Sequence, residues 1–150
     1  MAVRIIKTQE DPVLRKKSRE VEIIDERIFQ LLDDMAETMI KADGVGLAAP
    51  QVGVLKRVVT IDVGEGVIEM INPQILEYDG EQFGDEGCLS VPGKFGKVRR
   101  PNSVKVSFLN RQGDKVEMEG TELFARAVFH EVDHLDGVLF IDKVEGELEE

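Results

Sequence analysis

The segment HEVDH, His130 to His134, contains the only two histidines of the 150-residue chain. It lies in a stretch, roughly Thr121 to Asp136, whose apolar residues recur at helical spacing, so we predict a helix there. Residues four apart on a helix point in nearly the same direction, and His130 and His134 could therefore bind one divalent metal ion. Glu131 is turned about 100° aside, where it could reach a water on that ion and act as a general base. The alternative is a pair of partly buried histidines without a metal.

A metal site needs a third protein ligand, and the chain has no third histidine. A carboxylate is favoured by the 30 acidic residues, and the other candidate is Cys88, the single cysteine. Cys88 stands in EGCLSVPG, Glu86 to Gly93, where glycine and proline predict a tight irregular segment that could bring a thiol and backbone N–H groups to one point. Cys88 could instead be a buried apolar residue. Ser90 is expected to be a structural hydrogen-bonding group, because both histidines belong to the helical pair and none is left to activate a serine.

The rest of the chain predicts strands and one further helix. Apolar residues at three- and four-residue spacing predict an amphipathic helix from Asp25 to about Ala42, and the glycine-rich GVGLAAPQVGV after it predicts a loop or an extended segment. Segments rich in β-branched residues predict strands at Arg57 to Val63, Val67 to Pro73 and Ser103 to Asn110, with KVEMEG as the hairpin partner of the last. Strands between two helices favour an α+β fold, with mainly antiparallel sheets packed around the HEVDH helix.

Composition narrows the class of protein. A length of 150 residues suits a single domain over residues 1–150. The net charge of -11 argues against a nucleic-acid-binding surface, and part of it lies in the tail EGELEE, about 145–150, which we expect to fray. One cysteine excludes an intramolecular disulfide. The mixed charged and apolar N-terminal segment does not predict a secretory signal, and no apolar run is long enough to span a membrane, so we expect a cytoplasmic protein.

Three segments, taken in order, resemble the signature motifs of the peptide deformylases: GVGLAAPQ at Gly44 to Gln51, EGCLS at Glu86 to Ser90 and HEVDHLDG at His130 to Gly137. The resemblance implies a metal-dependent hydrolase that removes the formyl group from the N-terminal formyl-methionine of newly made polypeptides and releases formate. One departure is Phe129, because family members commonly have glutamine directly before the histidine–glutamate pair. Phe129 lies one residue from a ligand, so packing around the site, and with it substrate preference, could differ.

The resemblance also implies roles for single residues. The implied metal ligands are Cys88, His130 and His134. The ion of the family is typically Fe²⁺, often replaced by Zn²⁺, Ni²⁺ or Co²⁺, with water in the fourth position. Glu131 would be the acid/base, and Gln51 and the backbone N–H of Leu89 would face the reacting carbonyl oxygen. The expected partners are N-formyl-methionyl nascent peptides, with the ribosome as a further candidate.

Substrate binding is expected around the glycines of the first motif. Gly46 has no Cβ, so a peptide could lie close to this segment and pair with it as an added strand. Val45, Leu89 and the apolar face of the second helix could form the walls of a methionine pocket. The pair Arg99-Arg100 could meet a substrate carboxylate, although a solvated basic surface is the favoured interpretation. Two alternative interpretations of the histidine pair remain: the active site of a zinc peptidase, and a closed structural metal site.

Overall fold

The computed structural model describes residues 2–150, in which two helices and two sheets pack together. The helices are α1 (Glu26–Lys41) and α2 (Leu123–Leu135). The strands are β1 (Gly46–Ala48), β2 (Val58–Ile61), β3 (Ile68–Asp79), β4 (Gln82–Cys88), β5 (Val91–Arg100), β6 (Ser103–Leu109), β7 (Lys115–Thr121) and β8 (Val144–Glu149). One sheet has the order β1-β2-β3-β6-β7 and the other β4-β5-β8, and every strand pair in them is antiparallel. The predicted α+β class is confirmed.

Helix α1 begins and ends where the sequence predicts. The side chain of Asp25 accepts hydrogen bonds from the backbone N–H groups of Arg27 and Ile28, which have no acceptor within the helix. The apolar face is buried, with Leu32 and Met35 fully removed from solvent. This face packs on one side of the five-stranded sheet and fixes the position of the chain that continues into β1.

The five-stranded sheet is covered by a helix on each side. Alternate residues of a strand point to opposite faces, so Val59 and Ile61 of β2 pack in the cluster under α2, whereas Val58 packs in the cluster under α1. All four residues of β2 are therefore buried. The sheet holds α2, and with it the HEVDH segment, in a fixed orientation beside β1.

The three-stranded sheet differs from the sequence prediction. The segment expected to be irregular is the end of a hairpin: β4 runs up to Cys88, Leu89 and Ser90 form the turn, and β5 follows. The pairing is regular from Gln82 opposite Arg100 to Gly87 opposite Phe95, and then shifts so that Cys88 lies opposite Val91. This irregularity at the turn brings the thiol toward α2.

The prediction of a frayed tail at residues 145–150 is wrong. Residues 144–149 form strand β8, which pairs with β5 and places Glu145 opposite Lys97. Arg99 of β5 also lies 3.0 Å from the carboxylate of Glu145. The pairing with β5 and the Arg99–Glu145 ion pair hold this segment against the small sheet. No helix among residues 2–150 is long and apolar enough to cross a membrane.

Candidate active site

Three metal-binding side chains meet where the small sheet approaches α2. The ligand atoms of Cys88, His130 and His134 all lie within 4.8 Å of one another. The sulfur of Cys88 is 3.3 Å from Nε2 of His134. Both histidines are buried, and Cys88 is half-buried at the end of β4. The three residues that the sequence proposes as ligands are therefore brought together.

The chemistry of this donor set fits a divalent ion such as Fe²⁺ or Zn²⁺. Two ligands of one tetrahedral ion, at bond lengths of 2.0–2.3 Å, are separated by about 3.5 Å, close to the sulfur–nitrogen distance here. Nδ1 of His130 lies 2.5 Å from a carboxylate oxygen of Glu86, which leaves Nε2 as the nitrogen free for an ion. Burial holds the pKa of His134 well below its usual value, which favours the neutral form of this imidazole.

Glu131 lines the same cleft and lies outside the donor cluster. Its side chain is only 3% exposed, and Oε1 has no hydrogen-bond partner among residues 2–150. Burial raises the pKa of Glu131 to about 7, in the range suited to proton transfer at neutral pH. Gly46 of β1 leaves room for this carboxylate, because a Cβ at Gly46 would lie 2.9 Å from both Cγ and Cδ of Glu131. The side chain of Glu131, the candidate base, therefore packs directly against Gly46.

Gln51 is held by contacts at both ends of its amide. It lies in a 3₁₀ helix, Ala49–Val52, where Oε1 accepts a hydrogen bond from the backbone N–H of Ala48 at 2.9 Å. Nε2 donates to Oγ of Ser90 at 3.0 Å and lies 3.6 Å from the sulfur of Cys88. Gln51 is 1% exposed and Ser90 is fully buried. The expected structural role of Ser90 agrees with this contact, and the amide of Gln51 is fixed beside the donor cluster.

The donor cluster opens into a cleft of about 540 Å³. Its lining includes Val45 and Leu89, as expected, together with Leu123 and Ala127 from the face of α2. Strand β1 is at the edge of its sheet, so one side of its backbone is not paired with another strand. Phe129, the departure noted in the sequence, points elsewhere: it packs against the core of the large sheet and meets Tyr78 edge-on at 5.7 Å.

A buried ion-pair network behind the cleft was not foreseen in the sequence. Glu86 accepts hydrogen bonds from Arg100 at 2.6 and 3.1 Å and from Arg126 at 2.6 Å, besides its contact with His130. Arg100 also lies 2.6 Å from Asp133. The prediction of a solvated Arg99-Arg100 surface is wrong for Arg100, which is 3% exposed, because neighbouring residues of a strand point to opposite faces.

Two residues of this network could have been predicted from their spacing to the candidate ligands in the sequence. Glu86 precedes Cys88 by two residues, and such residues lie on one face of a strand. Arg126 precedes His130 by one helical turn, so both project from the same side of α2. Burial opposes ionisation of Glu86, but hydrogen bonds from His130 and Arg100 outweigh it and hold its pKa well below the usual value. Glu86 is therefore an anion that fixes the orientation of the His130 ring.

A family model described as polypeptide deformylase matches residues 3–149. The chain belongs to this family. It is 66% identical over 144 residues to the peptide deformylase of Alkaliphilus metalliredigens, a match that covers 96% of this chain and 98% of that protein. The same relationship is found with solved structures.

Two crystal structures illustrate the likeness of fold. Peptide deformylase from Thermotoga maritima is 44% identical with a TM-score of 0.95, covering 97% of this chain and 100% of that one. Peptide deformylase from Synechococcus elongatus, in complex with actinonin, is 40% identical with a TM-score of 0.91, covering 95% of this chain and 79% of that one. Peptide deformylases are hydrolases that remove the N-formyl group from nascent peptides with the help of a single metal ion, and the Cys88, His130 and His134 cluster could hold such an ion.

Proposed function

We propose that deformylation takes place in the cleft beside the donor cluster, with Cys88, His130 and His134 as the ligands of one divalent ion. The observation that carries this proposal is the convergence of one thiol and two imidazoles within 4.8 Å at the wall of an open cleft. The resemblance to the family favours Fe²⁺ as the native ion, and the same donor set also accepts Zn²⁺, Ni²⁺ or Co²⁺. When bound, the ion would supply Lewis acidity that activates water and polarises the formyl oxygen.

Glu131 is the group that moves the proton. It accepts a proton from the attacking water and delivers it to the nitrogen of the departing amine, so that formate and a free N-terminus result. Its burial and the unpartnered Oε1 support this role, because a carboxylate with no protein donor has an oxygen available for water. Contact with Gly46 limits the positions that the carboxylate can adopt.

Gln51 and Leu89 stabilise the negative charge that develops on the formyl oxygen. The amide of Gln51 is orientated by Ala48 and Ser90, and its second N–H, which donates to the sulfur of Cys88 at 3.6 Å, would turn to the formyl oxygen of a bound substrate. The backbone N–H of Leu89 lies in the adjoining turn. Loss of one such donor costs about 2.7–4 kcal/mol of transition-state stabilisation.

The peptide binds along the unpaired edge of β1. Gly46 lines the cleft, and Val45, which is 38% exposed, lies at its entrance. Main-chain hydrogen bonds to an edge strand hold a peptide without regard to its sequence, which suits an enzyme that acts on many nascent chains. The side chain of the formylated residue then enters the cleft between Leu89 and the face of α2.

The cellular setting follows from this substrate. We propose that residues 1–150 act as one catalytic domain in the cytoplasm, where nascent chains emerge, with transient approach to the ribosome. The net charge of -11 opposes direct binding to nucleic acid, so any such approach would be to ribosomal protein or to the nascent chain itself.

The test is formate release from formyl-methionyl peptide by Glu131→Gln protein, purified without oxygen to protect the thiol. We expect the variant to keep its metal and to lose activity by at least about 100-fold, the lower range for a general base. The matched control is Glu37→Gln on α1, a half-buried glutamate that also has an unpartnered oxygen but lies outside the cleft. Wild-type activity in Glu131→Gln, or equal hydrolysis of unblocked peptides, would overturn the proposal.

A further inference from the structure

The cleft continues past the donor cluster toward a buried cation. Arg126 and Ala127 lie one turn before His130 and Glu131 on α2, and both line the cleft. Leu123, a further turn away, is 48% exposed and stands at the rim. A side chain that entered the cleft beside Glu131 would therefore meet the guanidinium of Arg126.

The guanidinium of Arg126 is fixed but not fully bonded. Nε donates to Oε1 of Gln82 at 3.3 Å, Nη1 to Glu86 at 2.6 Å and Nη2 to the carbonyl of Val98 at 3.2 Å. A guanidinium has five N–H groups, so these three bonds leave two without an acceptor among residues 2–150. The side chain is 10% exposed, so an occupant of the cleft could supply the missing acceptor.

The positive charge of Arg126 is also less completely neutralised than that of Arg100. Its carboxylate partner, Glu86, is bound at the same time by Arg100 and His130. Arg100 has a second carboxylate, Asp133, whereas Arg126 has none. This end of the cleft is therefore the more electropositive part of the network and favours an electronegative atom.

Arg126 lies close to the candidate ligand His130. Arg126 contacts one oxygen of Glu86, and the ring of His130 contacts the other, so a single carboxylate group separates guanidinium from imidazole. Arg126, His130 and Glu131 all line the cleft, so an unbranched side chain of four heavy atoms, such as that of methionine, would extend from the candidate base toward the free N–H groups.

We propose that Arg126 is a specificity-determining residue that selects formylated residues whose side chain carries a hydrogen-bond acceptor near its end. A thioether sulfur is a weak acceptor, a sulfoxide oxygen is a strong one, and the methylene of norleucine is none. An occupant without an acceptor leaves the two N–H groups desolvated and unpaired. The enzyme therefore deformylates chains that begin with oxidised methionine as well as those that begin with methionine. This inference rests on the proposed binding of substrate in the cleft.

The experiment compares kcat/KM for three formyl-tripeptides that differ only in the first residue: norleucine, methionine and methionine sulfoxide. For the wild-type protein we expect the sulfoxide peptide to exceed the norleucine peptide by about tenfold, the gain from one or two charge-assisted hydrogen bonds. Arg126→Met should reverse this order, and Arg126→Lys, which keeps the charge but loses the planar fork, should give an intermediate ratio.

The matched control is Arg99→Met, which removes an exposed arginine of β5 outside the cleft and should keep the wild-type order. Ratios within one protein are independent of how much of each variant folds, and the wild-type ranking alone tests the inference if Arg126→Met is unstable. A wild-type preference for norleucine over the sulfoxide would overturn it. Absence of formate from all three peptides would instead count against the proposed function.

Discussion

Gly46 is the position at which we expect the smallest substitution to have the largest effect on activity. In Gly46→Ala the new Cβ would lie 2.9 Å from both Cγ and Cδ of Glu131 and nearer still to Oε2. Since carbon atoms pack at about 3.5–4.0 Å, the Glu131 side chain must move by roughly 0.6–1.1 Å. Glu131 is 3% exposed, so it has little free space into which to move. The carboxylate is therefore displaced from its position in the cleft.

The size of this displacement sets the expected loss of activity. A misplacement of about 1 Å costs on the order of 100-fold in rate, which corresponds to about 2.7 kcal/mol in the barrier. We expect kcat to fall by this factor in Gly46→Ala, while the metal content stays that of the wild-type protein, because no candidate ligand is touched. Formate release from formyl-methionyl peptide measures the first quantity, and metal analysis of the purified protein measures the second.

Gly84→Ala is the matched control for this substitution. Gly84 is also a strand glycine, but a Cβ there would lie 3.6 Å from its nearest neighbour, Nη2 of Arg126, which is an ordinary contact. We expect its activity to remain within about twofold of wild type, in keeping with tolerated substitutions elsewhere. If Gly46→Ala kept activity within threefold at full metal content, the position of Glu131 would not govern the rate, and the reasoning would fail.

Three other substitutions test the network and the fold. Glu86→Gln should weaken metal binding by about 10–100-fold, measured by competition with a chelator, because His130 loses its anionic partner. Glu122 has φ 55° and ψ -120°, a backbone conformation that is strained for residues with a Cβ but not for glycine. Glu122→Gly should therefore raise the free energy of unfolding, measured in urea, by about 1 kcal/mol, whereas Glu122→Ala should not. Burial would raise the pKa of Asp34, but hydrogen bonds from a backbone N–H, Arg4 and Gln30 lower it. The stability that Asp34 contributes is thus present at neutral pH and lost as the pH falls through its lowered pKa, so the melting temperatures of wild type and Asp34→Asn should converge in acid.

The sequence predicted elements whose signal is local. Helix α1 was predicted correctly because its apolar stripe and its Asp25 cap both lie within the segment itself. The hairpin of β4 and β5 was missed, because Gly84, Gly87 and Gly93 interrupt the alternation of apolar residues that indicates strands. Strand β8 was missed because it pairs with β5, which lies about fifty positions earlier in the chain.

The candidate site shows the same division between local and distant information. The His130 and His134 pair is a helical spacing, so its shared direction was predictable. The burial of Arg100 was not, because its partners Glu86 and Asp133 come from β4 and α2 and only the fold brings them together. Sequence patterns therefore predict the candidate reactive groups, whereas the charged residues that contact them can be assigned only from the three-dimensional structure.

The candidate ligands come from two different parts of the fold, so metal binding should stabilise the whole molecule. Cys88 belongs to the small sheet, whereas both histidines belong to the helix that packs on the large one. An ion bound by all three would link the small sheet to the helix on the large one. At a free concentration one hundred times its dissociation constant, it would add about 2.7 kcal/mol to the free energy of unfolding. Chelation should then speed amide hydrogen exchange in β4 and β5 first, while α1 stays protected. The melting temperature would thus report the fraction of protein that has bound metal, without the use of a substrate.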